Sequence, residues 1–210
     1  MLRVGLTGSI GVGKSFVAGV LRELGCHVLD ADQTAREVVT PGAPGLTDVV
    51  KAFGKEVLHR DGTLDRQRLG ALIFGSDEKR TLLNSILHPY IIARQDQVLR
   101  DWERQDPDGI AVVDAALMIE SGGYKCFDKL IVVHCNPEEQ LRRIMARDSL
   151  SREEAERRVG AQMSQAEKKK YADYLIDTSG GFEATRHRTQ QVYENLVAIS
   201  EQPSKGLLSD

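Results

Sequence analysis

A glycine-rich segment near the start of the chain has the residue types of a phosphate-binding loop (P-loop). It fits the pattern G-x-x-x-x-G-K-[ST] at every fixed position, and its residues are Gly8, Ser9, Ile10, Gly11, Val12, Gly13, Lys14 and Ser15. Glycine lets such a loop turn its backbone N–H groups onto a chain of phosphates. Lys14 supplies a mobile charge for the β- and γ-phosphates, and the Ser15 hydroxyl is suited to ligate Mg²⁺. The segment therefore predicts a nucleotide site.

The elements around this loop have the order that the motif needs, with an apolar strand before it and an amphipathic helix after it. Short apolar runs predict five strands, at residues 2–7, 27–29, 110–113, 129–135 and 174–176. Helical patterns separate them, at residues 14–24, 137–147 (with Asn136 as N-cap) and 182–199. Continuous apolar runs are typical of parallel strands buried on both faces. We therefore predict an α/β fold in which helices flank a parallel sheet.

Two stretches interrupt this alternation with helical patterns and no convincing strand. The first contains a long helical pattern at residues 82–102, which Pro89 must either kink or start. The second, residues 142–171, is dense in Arg, Lys and Glu. We predict a nucleotide-binding core at 1–34, 109–135 and 172–210, a helical acceptor domain at 35–108 and a helical lid at 136–171.

Asp114 is the candidate carboxylate for the magnesium side of the site. It directly follows the apolar run 110–113, and this fold commonly carries a metal-associated carboxylate at such a strand end. Two interpretations stay open: Asp114 contributes to the Mg²⁺ site, with water between them, or it caps a turn at the end of the strand.

Other classes of P-loop protein fit less well. A regulatory GTPase would carry an N-K-x-D motif, which is absent, and the segment Asp106-Pro107-Asp108-Gly109 matches D-x-x-G but precedes a strand. The net charge of −3 does not favour a nucleic-acid-dependent ATPase, so we predict no nucleic-acid partner. Small-molecule kinases remain. They need a domain for the acceptor and a lid that keeps water from the γ-phosphate.

The predicted lid carries several arginines that could stabilise charge on a transferring phosphoryl group. Arg143 and Arg147 are one helical turn apart and face the same way, which makes them the favoured pair. For the others we expect solvated helix faces with ion pairs; they are Arg142, Arg152, Arg157 and Arg158.

Beyond the loop, the sequence resembles the dephospho-CoA kinase family from residue 2 to about residue 195. The most specific matches are Asp30-Ala31-Asp32 with Ala35-Arg36 behind it, and Leu87-His88-Pro89. Further matches are Gly62-Thr63-Leu64, Leu117-Met118-Ile119-Glu120, Gln140-Leu141, Arg143, Arg147-Asp148, Gln162, Ala172-Asp173 and Ile176-Asp177.

The resemblance implies ATP with Mg²⁺ and phosphorylation of the ribose 3′-hydroxyl of dephospho-CoA, the last step of coenzyme A biosynthesis. It implies that the P-loop residues bind ATP, that Asp32 is the base and that Arg143 and Arg147 are the lid arginines. Arg36, His88 and Glu120 are the candidate acceptor-binding residues, although the His88 ring could instead cap a helix and Glu120 could pair with a cation. From spacing alone, either Asp30 or Asp32 could N-cap the following helix.

The sequence departs from the usual family pattern at four positions. Ser9 and Val12 replace small loop residues, and Ala116 stands where proline is usual. Thr178 stands where the family usually has asparagine, which puts adenine-side contacts near residues 178–180 in question.

Several features indicate the setting in which the protein works. The three cysteines have no metal-binding spacing, and we expect buried thiols at Cys26, Cys126 and Cys135. The N-terminal residues enter a strand at once, and no apolar run has membrane-spanning length. We therefore expect a cytoplasmic protein without a membrane partner, acting as a monomer or small homo-oligomer. For Tyr90, Phe53 and Phe74 we predict core positions.

Overall fold

A computed structural model describes residues 1–201 and divides them into two compact units. One unit comprises residues 1–29 and the described residues from Trp102 onward, and the other comprises Asp30–Asp101. The predicted core included residues 172–210, of which positions 202–210 lie outside the described residues.

The first unit is built on a five-stranded sheet of order β2-β3-β1-β4-β5. Its strands are β1 (Leu2–Thr7), β2 (His27–Asp30), β3 (Ile110–Asp114), β4 (Lys129–His134) and β5 (Tyr174–Asp177). Strand β1 pairs in parallel with β3 and β4, and β4 pairs in parallel with β5. All five predicted strands are confirmed within one residue at either end, and the predicted α/β class is confirmed with them.

Helices make up most of the remaining secondary structure of both units. Within residues 1–201 they are α1 (Lys14–Glu23), α2 (Ala31–Glu37), α3 (Pro44–Phe53), α4 (Arg66–Ile73), α5 (Asp77–Gln105), α6 (Pro137–Asp148), α7 (Arg152–Gly160), α8 (Gln165–Lys169) and α9 (Gly181–Ser200). Short 3₁₀ turns occupy Lys55–Val57 and Gly123–Cys126. Asn136 caps α6 as predicted, because its side chain accepts a hydrogen bond from the N–H of Glu138.

The core of the first unit forms where α1 and α9 pack beside the sheet. Strand β1 contributes Val4 and Leu6, helix α1 contributes Val17 and Leu21, and α9 contributes Leu196, all fully buried. Apolar residues of β1 and β3 are buried throughout the middle of the sheet, which explains why these strands appear in the sequence as uninterrupted apolar runs.

The second unit is helical, and its core is small. Val49, Val57, Leu69 and Leu83 form the buried cluster. In the described part of residues 35–108 the only strand-like feature is an isolated antiparallel bridge between Leu58 and Leu64, so the prediction of a strandless insertion is confirmed.

The structure decides one open alternative and corrects two predictions. Pro89 does not start the long helix, since α5 begins at Asp77 and contains Pro89 in its interior. Phe74 is 89% exposed instead of buried, because it lies beyond the last residue of α4, in the turn that contains Gly75. Cys126 is exposed, whereas Cys26 and Cys135 are buried as expected.

Asp30 resolves the question of which aspartate caps the helix after β2. Its carboxylate accepts hydrogen bonds from the N–H groups of Asp32 and Gln33, at 2.8 and 3.1 Å, and it is the N-cap of α2. Asp32 is exposed on the first turn of α2, and within residues 1–201 its carboxylate has no hydrogen-bond or ion-pair partner. The capping role therefore belongs to Asp30 and leaves Asp32 available for other chemistry.

Candidate active site

The P-loop joins β1 to α1 and depends on glycine at three positions. Gly11 and Gly13 have positive φ angles of 78° and 86°, in the left-handed region that favours glycine. A Cβ on Gly8 would lie 2.7 Å from the carbonyl oxygen of Val133, and one on Gly11 would lie 2.6 Å from Cγ1 of Ile144. The loop is therefore packed tightly against neighbouring elements.

The loop ends at the N-terminus of α1, which is suited to an anion. Gly13 is the N-cap and provides no side-chain acceptor, and the first turn contains no acidic residue. The N–H groups of Lys14 and Ser15 have no carbonyl of their own helix to donate to, whereas that of Phe16 donates to the Gly13 carbonyl at 3.1 Å. The helix dipole adds partial positive charge there. This arrangement favours a phosphate at the start of α1.

Lys14 and Asp114 lie close together. Asp114 is the last residue of β3, and Lys14 begins α1 just after the P-loop that follows the neighbouring strand β1. The Lys14 ammonium donates a hydrogen bond to Oδ1 of Asp114, and the two side chains are only 16% and 10% exposed. Ser15, which follows Lys14 on α1, is exposed. The first unit thus contains all three predicted groups: the phosphate-binding charge of Lys14, the carboxylate of Asp114 and the metal-ligating hydroxyl of Ser15.

Glutamine side chains bind both polar groups of Ile10, at the tip of the loop. The Ile10 N–H donates to Oε1 of Gln162 at 2.8 Å, and the Ile10 carbonyl accepts from Nε2 of Gln140 at 2.7 Å. Gln165 in turn donates to Oε1 of Gln140 at 2.6 Å. The resemblance included Gln140 and Gln162, but no spacing in the sequence indicated that both contact the P-loop.

Ser9 and Thr178, two of the departures from the family pattern, also contact this loop network. The Ser9 hydroxyl donates to the carbonyl of Met163 at 3.2 Å, and the Thr178 hydroxyl donates to the carbonyl of Val12 at 2.7 Å. Both residues are buried. Both hydroxyls therefore form hydrogen bonds between the loop region and a distant part of the chain.

Arg143 and Arg147 lie on α6 in different environments. Arg143 is 27% exposed and donates to Thr178 through both terminal nitrogens, at 2.8 Å to Oγ1 and 2.9 Å to the carbonyl. Its Nε donates to Glu139 at 2.8 Å. Arg147 is 60% exposed and pairs with its neighbour Asp148. In this structure Arg143 is linked to the P-loop through Thr178, whereas Arg147 is near solvent.

The remaining arginines of the predicted lid are exposed, as predicted for solvated helix faces. Arg142 pairs with Glu139, Arg152 pairs with Glu138 and Glu156, and Arg158 pairs with Asp148. Arg157 is exposed as well.

Glu120 is bound to a buried lysine that sequence reasoning missed. Lys168 of α8 is fully buried, and its ammonium donates to Glu120 at 3.0 Å and to the carbonyl of Ala116 at 2.7 Å. Glu120 also accepts from the N–H of Met163 at 3.2 Å. Lys168 lies in the run Glu-Lys-Lys-Lys, which is typical of a solvated helix, so no signal in the sequence marked it as buried.

The other predicted site residues belong to the second unit. Asp32 and Arg36 lie on α2, and His88 lies within α5. All three are exposed. His88 does not cap a helix, because α5 extends well beyond it in both directions.

The residues present are compatible with magnesium bound together with a nucleotide. Among the described residues no three His, Cys, Asp or Glu side chains cluster closely enough to hold a metal by themselves. Protein-bound Mg²⁺ usually has one or two protein ligands and takes its other oxygens from phosphates and water. A serine hydroxyl at the loop and one carboxylate on the next strand fit that requirement.

A parallel sheet with this loop between its first strand and first helix defines a P-loop NTPase fold, the class to which small-molecule kinases of this type belong. The model of the dephospho-CoA kinase family matches residues 2–184. The chain belongs to the dephospho-CoA kinase family, which phosphorylates dephospho-CoA to coenzyme A in the last step of coenzyme A biosynthesis.

Individual relatives agree with this assignment over nearly the whole chain. A dephospho-CoA kinase of Carboxydothermus hydrogenoformans is 43% identical over 88% of this chain and 89% of its own length. One from Moorella thermoacetica is 41% identical over 98% of both chains. The solved structure of dephospho-CoA kinase from Campylobacter jejuni has a TM-score of 0.63 and 27% identity, covering 92% of this chain and 96% of that one. The crystal structure of TT1252 from Thermus thermophilus has a TM-score of 0.78 and 29% identity, covering 97% of this chain and 98% of that one.

Across residues 1–201, every helix is too short or too polar to cross a bilayer.

The ion pairs of Glu139 predict a pH dependence of stability. Hydrogen bonds from Arg142 and then Arg143 lower the pKa of Glu139 from 4.5 to about 2. A carboxylate with a lowered folded-state pKa stabilises the fold above its unfolded pKa and loses this contribution as the pH falls through the folded pKa. We expect Glu139→Gln to lower the free energy of unfolding at pH 7, and the difference from wild type to shrink as the pH falls below about 4.5.

Urea unfolding at a series of pH values measures this difference. Glu153→Gln on the exposed first turn of α7 is a matched control, and we expect it to change stability little at any pH. A Glu139→Gln effect that stayed constant across the acid range would show that packing, and not the charge, is responsible.

Proposed function

We propose that this chain transfers the γ-phosphate of ATP to the ribose 3′-hydroxyl of dephospho-CoA. The observation that carries the proposal is the Lys14–Asp114 pair beside an anion-binding helix start, in a chain that matches the family model over residues 2–184. The proposed ATP-binding residues are those of the P-loop, Gly8 to Ser15. We also propose that the reaction takes place in the cytoplasm and that the protein is a monomer or small homo-oligomer.

The P-loop is proposed to bind the phosphates through backbone N–H groups and the start of α1. Lys14 is held by Asp114, so an incoming triphosphate must compete with this carboxylate for the ammonium group. Phosphate oxygens carry more negative charge than one carboxylate, and this favours the exchange. Lys14 would then contact the β- and γ-phosphates, where charge changes during transfer.

Ser15 and Asp114 are the residues proposed to hold Mg²⁺, Ser15 through its hydroxyl and Asp114 through water. When bound, the ion neutralises charge on the phosphate oxygens. Asp114 is largely buried, and a cation near it would replace the charge compensation that Lys14 gives it in this structure.

Arg143 and Arg147 are proposed to act on the transferring phosphoryl group from the lid at residues 136–171. The contacts in the structure indicate different roles for the two arginines. Arg147 is exposed and pairs with one neighbouring carboxylate, so it can exchange that partner for phosphate at little cost. Arg143 would have to give up three hydrogen bonds, two of them to Thr178. We expect Arg147 to contribute more directly to charge stabilisation.

The acceptor is proposed to bind to the helical domain at residues 35–108, with Asp32 as the base for its hydroxyl. A hydroxyl acceptor loses its proton as the bond to phosphorus forms, and a carboxylate can accept that proton. Asp32 is exposed and is not the cap of α2, in support of this role. Arg36 and His88 are proposed acceptor-binding residues, both exposed. Glu120, which is bound to Lys168, is the weakest of these candidates.

A coupled assay of ADP release, with a panel of acceptors, tests the proposed function. We expect dephospho-CoA to react, with little turnover of pantetheine, nucleoside monophosphates, shikimate or gluconate. A nucleoside monophosphate that reacted faster would overturn the acceptor assignment. Nucleotide binding without transfer to any acceptor would indicate a binding module instead of an enzyme.

Replacing Lys14 tests the phosphate site. We expect Lys14→Ala to lower kcat by about 100-fold or more, because a charge aimed at the β- and γ-phosphates acts most strongly in the transition state. Lys14→Arg should not restore the rate, since a planar fork does not replace a point charge. Steady-state kinetics with ATP and dephospho-CoA measure both, with Lys125→Ala as an exposed control. A near-normal kcat for Lys14→Ala would refute the P-loop mechanism.

Replacing Asp32 tests the proposed base. Asp32→Asn keeps the shape and removes the basicity, so we expect kcat to fall by about 10²–10⁴-fold while ATP affinity stays nearly unchanged. Asp30→Asn is the matched control, because asparagine also caps helices well and should keep both kcat and stability.

Kinetics and ATP titrations on the two variants separate the alternatives. Loss of kcat in Asp30→Asn but not in Asp32→Asn would show that the two aspartates have the reverse roles. If neither change mattered, transfer would proceed by positioning and electrostatics without a side-chain base.

A further inference from the structure

Two carbonyl groups of the P-loop accept hydrogen bonds from side chains that lie far along the sequence. Gln140 donates to the carbonyl of Ile10 at 2.7 Å, and Thr178 donates to the carbonyl of Val12 at 2.7 Å. Each carbonyl belongs to the residue directly before a glycine of positive φ, Gly11 and Gly13. These glycines lack a side chain that could hold their conformation, so the backbone needs restraint from outside the loop.

Because peptide units are planar, these two hydrogen bonds also determine the direction of the N–H groups of Gly11 and Gly13. In a planar trans peptide the C=O and the following N–H point in opposite directions, and the described chain has no cis peptide. The Val12 carbonyl points towards Thr178, so the N–H of Gly13 points away from Thr178. By the same argument the N–H of Gly11 points away from Gln140. The side chains therefore orient the N–H groups that a P-loop turns towards phosphate.

Arg143 determines which way the Thr178 hydroxyl donates its single proton. A hydroxyl has one O–H donor and two acceptor positions. Arg143 has only donors, and its NH1 lies 2.8 Å from the Thr178 oxygen, so this oxygen must accept there. The hydroxyl proton is then free to donate to the Val12 carbonyl, which lies 2.7 Å from the Thr178 oxygen. The second bond from Arg143, to the Thr178 carbonyl at 2.9 Å, fixes the threonine backbone as well.

We propose that Thr178, with its hydroxyl oriented by Arg143, is a positioning residue that holds the Gly13 N–H towards the phosphates of the nucleotide. Thr178 is 3% exposed, and its side chain contacts loop backbone, the Arg143 guanidinium group and the Cys135 side chain, an environment that favours the phosphate end of the site. The inference rests on the proposed binding of ATP phosphates at this loop.

Binding of magnesium tripolyphosphate to the full chain isolates this role, because the probe has phosphates and no base. By calorimetry we expect Thr178→Val, which removes the hydroxyl and keeps the shape, to bind about five- to tenfold more weakly than wild type, as for loss of one hydrogen bond. Thr178→Ser restores the hydroxyl and should bind within about twofold of wild type. Adenosine binding should be the same in all three proteins.

Thr189→Val is the control for removal of a buried threonine hydroxyl. Thr189 is fully buried on α9, and its hydroxyl donates to the carbonyl of Thr185 at 2.8 Å. We expect it to lower the melting temperature as Thr178→Val does, without changing the affinity for tripolyphosphate.

The outcomes separate this inference from the proposed function. If Thr178→Val bound tripolyphosphate as well as wild type, or lost adenosine affinity instead, the positioning role would be wrong while the phosphate site stood. If wild type bound no tripolyphosphate, the proposed phosphate site would be wrong, and the positioning role with it. An equal loss of affinity in the Thr189→Val control would reduce the effect to general destabilisation and overturn the inference.

Discussion

The central constraint on this structure is that a P-loop must present N–H groups to an anion while its carbonyls find partners elsewhere. Each peptide unit has both groups, and they point in opposite directions. The carbonyls of Ile10 and Val12 are bound by Gln140 and Thr178, and the N–H of Ile10 is bound by Gln162. A loop of this kind is therefore specified by its surroundings as much as by its own glycines.

The hydrogen bonds to the P-loop limit how the predicted lid can move. Residues 136–171 were predicted to close over the nucleotide, yet Gln140, Gln162 and the carbonyl of Met163 bind the P-loop region. Lys168, fully buried, ties α8 to the loop after β3. A rigid movement of the whole segment would break these bonds. It would also leave the buried ammonium group of Lys168 without its partners, which is costly in free energy. We expect the closing motion to be confined to the part between these anchors, α7 and the end of α6.

The extent to which the sequence predicted this structure follows from the range of the interactions involved. The five strands and the P-loop were predictable because buried apolar runs and fixed glycine spacing are local signals. The partners of the loop were not, since Thr178 is 166 positions from Val12 and Gln162 is 152 from Ile10. Lys168 was hidden for a related reason: its burial depends on Glu120 and Ala116, and nothing in its own neighbourhood of charged residues indicates it.

The two aspartates after β2 show how a structure can decide between uses of the same residue type. Both could cap α2 on sequence grounds, and a carboxylate that accepts two backbone N–H groups is held in place at the helix start. Asp30 has those two bonds, and Asp32 within residues 1–201 has none. The capping role thus separates a carboxylate that is fixed at the start of α2 from one that is exposed and lacks such contacts. The two lines of reasoning are independent, since the family resemblance proposes Asp32 as the base by position, whereas the structure identifies Asp30 as the cap by its contacts.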